Sequence, residues 1–343
     1  MDIRDIAKHA GVSVATVSRT VNQAPNVNVV LTKRVWKAIE DLGYYPNRQA
    51  RALVSGKSRV FGLIVSEITN PFFPEVVETF ETLAVENQYE ILLISTIRDP
   101  KRMEGAARRM IEGRVDGVAI LAFGMEQELL RHLRARNLPA VALDLGSTAP
   151  RLCNVRVDYA YGIQQAVQHL AALRHTRIGF IAGPVSLRSA NARKHAFLQS
   201  MTELGLPANH DFILEGDHTL AGGKRAFEKI CKLRRRPTAL VCSNDITAIG
   251  VMREAYDRRV EIPKEMSVVG FDDIRTANYM NPPLTTVQMS QSELATVAFY
   301  ALLDEVGRET PSLDGTERTL ETRLIIRSST TFPPGHRQRK LRR

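Results

Sequence analysis

Apolar residues recur three and four apart over the first 43 residues, and then give way to short unbroken apolar runs. Ile3, Ile6, Ala7 and Ala10 share one face of a helix. Asp2 stands before it as a cap with Asp5 three residues on, and Gly11 ends it, because the turn needs a residue that tolerates positive φ. Ser13 caps a second helix from Val14 to about Val21, facing inward through Val17 and Val21, with Val12 packing at the turn. Thr32 is placed to cap a third, with Val35, Ile39 and Leu42 at helical spacing and Gly43 as its stop.

From Arg59 the period changes. The runs RVFGLIVSE, YEILLIST, GVAILAF and AVALDLG read as buried strands, and FPEVVETFETLAVEN and KRMEGAARRMIEG between them read as helices. The alternation returns after Asp158 with RIGFIAGP, ALVCSND and MSVVGFDD. Strand–helix alternation gives parallel α/β layers, here twice over. The expected fold class is thus a small all-α head followed by a two-lobed α/β core with parallel sheets. Two lobes leave a cleft, and ligands of such sheets bind beyond the carboxyl ends of the strands.

Three short helices with a tight Gly turn between the first two form the helix-turn-helix layout, whose second helix enters the DNA major groove. Its outward residues are Val14, Ala15, Ser18 and Arg19. Arg19 can donate a bidentate pair to guanine, and Val14 and Ala15 can meet thymine methyls. Ser13, Thr16 and Asn22 are placed to hydrogen-bond phosphates. Charge supports a polyanion partner. The net +10 is concentrated at the ends: residues 1–60 carry +6 and the tail 336–343 carries +5, leaving the middle near neutral. A three-helix interaction module without DNA is the plain alternative.

The strand ends of the core carry the other candidate chemistry. ITNPFF supplies Asn70, Phe72 and Phe73, ALDLG supplies Asp144, SANARKHAF supplies Arg193, CSNDITAIG supplies Asn244 and Asp245, and VVGFDD supplies Phe271, Asp272 and Asp273. Carboxylate, guanidinium, amide and aromatic faces in one cleft suit a polyhydroxyl ligand. Each also has a plain structural reading: Asn244 or Asp272 as a helix cap, Arg193 in a surface pair, Phe72 or Phe73 in the core.

IRDIAKHAGVSVATVSRTVNQ reproduces A-x-x-A-G-V-S-x-x-T-V-S-R-x-x-N position by position, and so resembles the opening of the lactose/galactose repressor family of bacterial transcription factors. Tyr44–Ser58, YYPNRQARALVSGKS, resembles that family's hinge, where a short helix folds on DNA and a leucine wedges into the minor groove; Leu53 occupies that place. Residues 59 to 331 resemble the family's core, itself similar to periplasmic sugar-binding proteins. By position Asp144, Arg193, Asn244 and Asp272 align with effector contacts, and Asn70 with Phe72–Phe73 resembles the N-P-F-F of ribose-binding relatives. Three positions depart from the pattern: Arg174 and Ala196 stand where the family often has Gly, and Gln291 falls where some sugar-responsive members place an aromatic.

The resemblance implies a repressor controlled by a small metabolite, a sugar or sugar derivative, in the cleft. It also implies a homodimer that sets two recognition helices on a pseudo-palindromic duplex. The expected organisation is a head at 1–45, a hinge at 46–58, a core at 59–331 and a basic, disordered tail at 332–343. Within the core, the first lobe takes about 59–157 plus 288–318 and the second about 158–287 plus 319–331. The tail lacks apolar heptads, so no coiled-coil tetramer is expected.

Composition excludes other classes. No apolar run is long enough to span a membrane. The N-terminus lacks the basic-then-apolar pattern of a secretory signal, which argues against a solute-binding protein feeding a transporter. Cys153, Cys231 and Cys242 have no metal spacing and read as buried thiols of a cytoplasmic protein. The eight histidines show no metal spacing, no Gly-x-Ser-x-Gly or phosphate-loop motif occurs, and Asp272–Asp273 would point to opposite faces of a strand. Neither an enzyme nor a cofactor is expected.

Overall fold

The computed structural model describes residues 2–21, 27–43, 57–96, 99–113, 115–122, 131, 133, 135–146, 148–310 and 314–335. Asn22, Leu53, hinge residues 46–56, His132 and tail residues 336–343 lie outside them. The chain forms two units, Met1–Arg59 and Val60–Arg343.

The first unit holds α1 (Ile3–Ala10), α2 (Val14–Val21) and α3 (Val29–Asp41). At the start of α1 the Asp2 carboxylate accepts from Arg4 N at 2.7 Å, and Asp2 N donates to Asp5 Oδ2 at 2.8 Å. This reciprocal cap is worth about 0.5–2 kcal/mol. Gly11 takes φ +61°, and the Ser13 hydroxyl accepts from Thr16 N at 3.1 Å to cap α2. The third helix starts earlier than its pattern suggested. Asn28, not Thr32, caps it, accepting from Val30 N at 2.8 Å. Val29 and Val30 are exposed, so the apolar period had carried no trace of that extra turn. Ile6, Ala7, Ala10, Val17, Val21, Val35, Ala38 and Ile39 form the small core. The Arg34 guanidinium donates to Ala10 O at 2.6 Å, closing the carboxyl end of α1.

The second unit contains two six-stranded sheets. The first lobe uses β1 (Val60–Val65), β2 (Glu90–Ser95), β3 (Gly117–Leu121), β4 (Ala140–Leu143), β5 (Leu152–Val157) and β11 (Thr316–Leu320), in the order β11-β5-β4-β3-β1-β2 and all parallel. The second uses β6 (Ile178–Ile181), β7 (Ile213–Leu214), β8 (Ala239–Cys242), β9 (Ser267–Asp272), β10 (Thr285–Gln288) and β12 (Arg323–Ile325), in the order β12-β10-β9-β8-β6-β7, with β12 antiparallel. In each lobe the first strand lies inside the second and third, which creates a switch point where loops diverge. Because β11 runs to Leu320, the last crossing between lobes falls at Glu321–Thr322, slightly beyond the 318/319 boundary read from the sequence.

Helices cover the sheets: α4 (Phe73–Glu86), α5 (Pro100–Glu112) and α10 (Gln291–Gly307) in the first lobe, and α6 (Tyr159–Ala172), α7 (Arg188–Glu203), α8 (Leu220–Cys231) and α9 (Asp245–Asp257) in the second. Strands such as β3, β4, β6 and β8 are buried at every position, which is why they read as continuous apolar runs rather than alternating ones. Phe61 stacks on Tyr89 at 3.9 Å and meets Phe299 edge-on, joining sheet and helices. Cys153 and Cys242 are buried, whereas Cys231, at the end of α8, is only half-buried.

Arg174, a departure from the family glycine, sits just past α6 at φ +72°. An L-residue there carries a steric cost of about 1–2 kcal/mol, partly offset by the extra freedom that glycine gives the unfolded chain. Arg174→Gly is therefore expected to raise core stability by about 0.5–1 kcal/mol in urea unfolding; a loss of stability would contradict this account of the turn.

Candidate functional site

Two surfaces carry the candidate chemistry, one on each unit. On the head, α2 buries Val17, Thr20 and Val21 and leaves Ser13, Val14, Ala15 and Arg19 exposed, with Thr16 and Ser18 half-buried. The Thr16 hydroxyl lies 2.9 Å from the Ser13 hydroxyl, so both are held at the start of the helix, where backbone N–H groups favour an anion. Arg19 projects one turn further along. This is the arrangement that groove reading requires: apolar anchors inside, hydroxyls and one guanidinium outside.

On the core, a small cavity lies between the lobes, lined by residues that follow the strand ends of both, among them Ser66, Asn70, Phe72, Ser189, Arg193, His218, Asn244 and Asp272. Arg193, on the second turn of α7, is its centre. The side chain is buried, with its guanidinium 4.0 Å from the Phe271 ring and 4.8 Å from the Tyr159 ring. One nitrogen donates to Ser243 O at 2.5 Å, another lies 3.6 Å from Asp272 Oδ1, and Nε has no partner. A buried guanidinium donor left unsatisfied is costly and marks a place for an acceptor.

Asp272 is the complementary group. It ends β9 at φ +110°, a backbone conformation rarely adopted by residues with a side chain. Burial pushes its carboxyl up to about 7, against the opposing pull of Arg193. Among the described residues none donates a hydrogen bond to that carboxylate. Its neighbour Asp273 turns away, accepting from Arg327 at 2.6 Å and from Gln288 at 2.8 Å. Asp245, at the first position of α9, is also buried; it accepts from Thr286 Oγ1 and from Ile274 N, and burial together with the Asp272 charge raises its pKa well above the carboxylate range.

The remaining sequence candidates divide into lining and supporting groups. Asn70 lines the cavity while its Oδ1 accepts from Phe72 N at 3.1 Å. Phe72 and Phe73 are core residues that also line the cavity. Asn244 both lines it and caps α9, accepting from Thr247 N at 3.0 Å. Asp144 stands behind the cavity. Its carboxylate accepts from Val157 N at 2.9 Å and from the Tyr159 hydroxyl, and burial raises its pKa. Gln291 is also set back: its amide donates to Asp272 O at 2.7 Å, holding the strained end of β9 from the opposite lobe.

His218 was not singled out from the sequence, yet it lines the cavity at φ +60° with Nε2 2.9 Å from the Ser243 hydroxyl. Its only sequence signal is its place in EGDHTL, just past a two-residue strand too short to read. The cavity offers only about 30 Å³, room for a water or two. The lobes are drawn together around it. Arg275 of the second lobe pairs with Glu75 at 3.0 Å and Glu78 at 3.3 Å of the first, and Arg188 of the second donates to Leu145 O of the first at 2.8 Å.

Among the described residues, no cluster of His, Cys, Asp or Glu could hold a metal, and no helix is long and apolar enough to cross a membrane.

Comparison with known proteins finds matches to both units. Residues 2–47 match the family model described as bacterial regulatory proteins, lacI family, and residues 167–330 match a periplasmic binding protein-like domain. The chain is 32% identical over 305 residues to the HTH-type transcriptional repressor PurR of Aliivibrio salmonicida, covering 89% of this chain and 92% of the relative. It superposes on a lac repressor dimer solved with operator and the anti-inducer ONPF with a TM-score of 0.84 at 27% identity, over 96% of this chain and 99% of the other. A lacI-family regulator from Enterococcus faecalis solved with bound ribose gives a TM-score of 0.70 at 27% identity, over 79% and 98%. With a reading helix on one unit, a two-lobed binding fold in the other, and likeness to a repressor along nearly the whole chain, this protein belongs to the lacI family of bacterial regulatory proteins, as a DNA-binding transcriptional repressor and not an enzyme.

Proposed function

We propose that this repressor is a cytoplasmic homodimer whose affinity for a pseudo-palindromic duplex is set by a small polyhydroxyl metabolite, a sugar or sugar derivative, bound between the lobes. In this reading residues 1–45 contact the duplex through Ser13, Val14, Ala15, Thr16, Ser18, Arg19 and Asn22. Residues 46–58 form the hinge, with Leu53 as a minor-groove wedge, and residues 59–331 bind the effector.

The observation that carries the reading is the pairing of Arg193 and Asp272. A buried donor without an acceptor faces a buried carboxylate that no described residue hydrogen-bonds. A ligand hydroxyl satisfies both at once, accepting from Arg193 Nε and donating to Asp272. Asn70, Asn244 and His218 add polar contacts, and Phe72 and Phe73 cover apolar faces of the ligand. The neighbour solved with bound ribose supports the same chemistry. Asp144 acts through Tyr159, and Gln291 through the Asp272 backbone.

Coupling follows from the lobe contacts. A ligand that favours one lobe arrangement shifts the equilibrium only by its differential affinity, typically about 1–3 kcal/mol. Selection of a random duplex pool by the full protein, repeated with candidate metabolites, tests the reading. The expected result is enrichment of a two-fold-related sequence, and one metabolite that moves its binding midpoint by roughly 5- to 150-fold. Enrichment with no metabolite response would leave a repressor but remove the effector.

A further inference from the structure

The cleft occupies the carboxyl edge of the second-lobe sheet, and the opposite edge of that sheet is strongly basic. Two loops enter the sheet there: residues 173–177 lead into β6 and residues 232–238 lead into β8. They are locked together, since Arg177 Nε donates to Arg236 O at 3.0 Å and Thr238 N donates to Arg177 O at 2.8 Å. Arg177, Arg234, Arg235 and Arg236 are all exposed. Arg177, Arg234 and Arg236 line one surface hollow, and Arg234 with Arg235 lines the next. Among the described residues none of the four guanidinium groups has a carboxylate within ion-pair distance. The nearby acids are Asp211 and Glu265, and the latter is taken up in accepting from Glu261 N at 2.7 Å. The four guanidinium groups outnumber the two acids beside them and repel one another, and, the Arg177 brace apart, they make no hydrogen bond or ion pair among the described residues.

The end of the described chain reaches the same pole. Thr331 is fixed to the start of β9, its N–H donating to Ser267 Oγ at 3.0 Å and its carbonyl lying 2.7 Å from His175 Nε2. Pro334 lines the hollow beside Arg177, Arg234 and Arg236. From there the sequence continues with HRQRKLRR, five more Lys or Arg and no acid.

We propose that this pole is a second DNA-binding surface, sequence-independent and directed at the phosphate backbone. Guanidinium groups on short, mutually braced loops present several donors to phosphate oxygens, and the head already brings the molecule to DNA. The pole lies on the face of the core away from the effector cleft, so it acts whether or not the cleft is filled. Its effect is to let a repressor seated on one duplex segment hold another.

A two-duplex capture assay tests this. A 40-base-pair duplex carrying the two-fold-related sequence selected by the full protein is immobilised and loaded with full-length protein through the head, and a second, labelled duplex of arbitrary sequence is added over a series of KCl concentrations. Native protein is expected to capture the second duplex. An Arg234→Gln/Arg235→Gln/Arg236→Gln variant, altered only at exposed and partnerless groups, is expected to load on the first duplex as well as native protein. Its capture of the second should fall at least tenfold, with a salt slope smaller by about three. Equal capture by native and variant protein would overturn the proposal, as would no capture by native protein that is fully loaded. Failure of native protein to load would count against the reading of the head instead. The pole would then be judged by anisotropy of the labelled duplex alone, where an unchanged salt slope in the variant overturns it.

Discussion

Changing Arg19 to Ala is expected to abolish sequence-selective DNA binding while leaving the head folded. Arg19 is exposed on α2, and the residues that hold that helix, Val17, Thr20 and Val21, are buried on its other side. Truncation therefore removes no packing. A bidentate guanidinium–guanine pair is worth about 1–3 kcal/mol of discrimination, and a two-fold dimer makes it twice. The loss is then about 2–6 kcal/mol, between tens-fold and ten-thousand-fold in affinity for the selected duplex. Affinity for unselected duplex should change far less, because phosphate contacts carry it. Titration of both duplexes at one salt concentration checks this. Equal losses on both would make Arg19 a phosphate contact.

The second large effect concerns Asp272. Its carboxyl is raised to about 7 in the folded protein by burial, while an unfolded aspartate titrates near 3.9. The folded state thus holds a proton that the unfolded state has released, and stability must fall as pH rises from about 4 to about 7. The group contributes nothing further above that window. The shift corresponds to a cost on the order of 4 kcal/mol for the ionised form. Asp272→Asn keeps the shape of the neutral acid. It is expected to match native protein in stability near pH 4 and to exceed it by several kcal/mol at pH 8. Asp245 is raised in the same sense, so the difference between native and variant protein, not the native curve alone, isolates Asp272. The same variant should weaken effector binding, since the amide keeps one acceptor oxygen but loses the negative charge and the second acceptor of the carboxylate. A variant that is less stable than native protein at pH 8 would show that the ionised carboxylate is needed by the fold.

That contrast fits a site in which stability is sacrificed for binding. The cleft holds two non-glycine residues at positive φ, His218 and Asp272, and an arginine with an unsatisfied nitrogen. Gln291 holds the strained strand end from across the lobes.

Much of this was legible in the sequence, for physical reasons that differ by region. The head declared itself because caps and turns need particular residues: Asp2, Gly11 and Ser13 do what their types imply. Asn28 was missed because the turn it caps points Val29 and Val30 into solvent, where apolar periodicity carries no information. The sheets were legible because fully buried parallel strands are continuous apolar runs. The cleft was only partly legible. Asn70, Arg193, Asn244 and Asp272 follow strands long enough to recognise, whereas His218 follows a strand of two residues. Position at a strand end also fails to say which way a side chain turns. Asp144 and Asp272 look alike in sequence, yet one is held by Tyr159 and Val157 and the other faces the cavity.

The measurement that bears most directly on the central claim is calorimetric melting of the full-length protein against sugars, sugar acids, sugar phosphates, nucleosides and purines. Heat capacity is the right signal because the only tryptophan, Trp36, lies in the head and not in the core. A ligand that binds only the folded core raises its melting temperature by mass action. The account predicts that at least one sugar or sugar derivative does so for native protein and that Arg193→Ala abolishes the rise. A rise that survives Arg193→Ala, or none with any member of the panel, would contradict it.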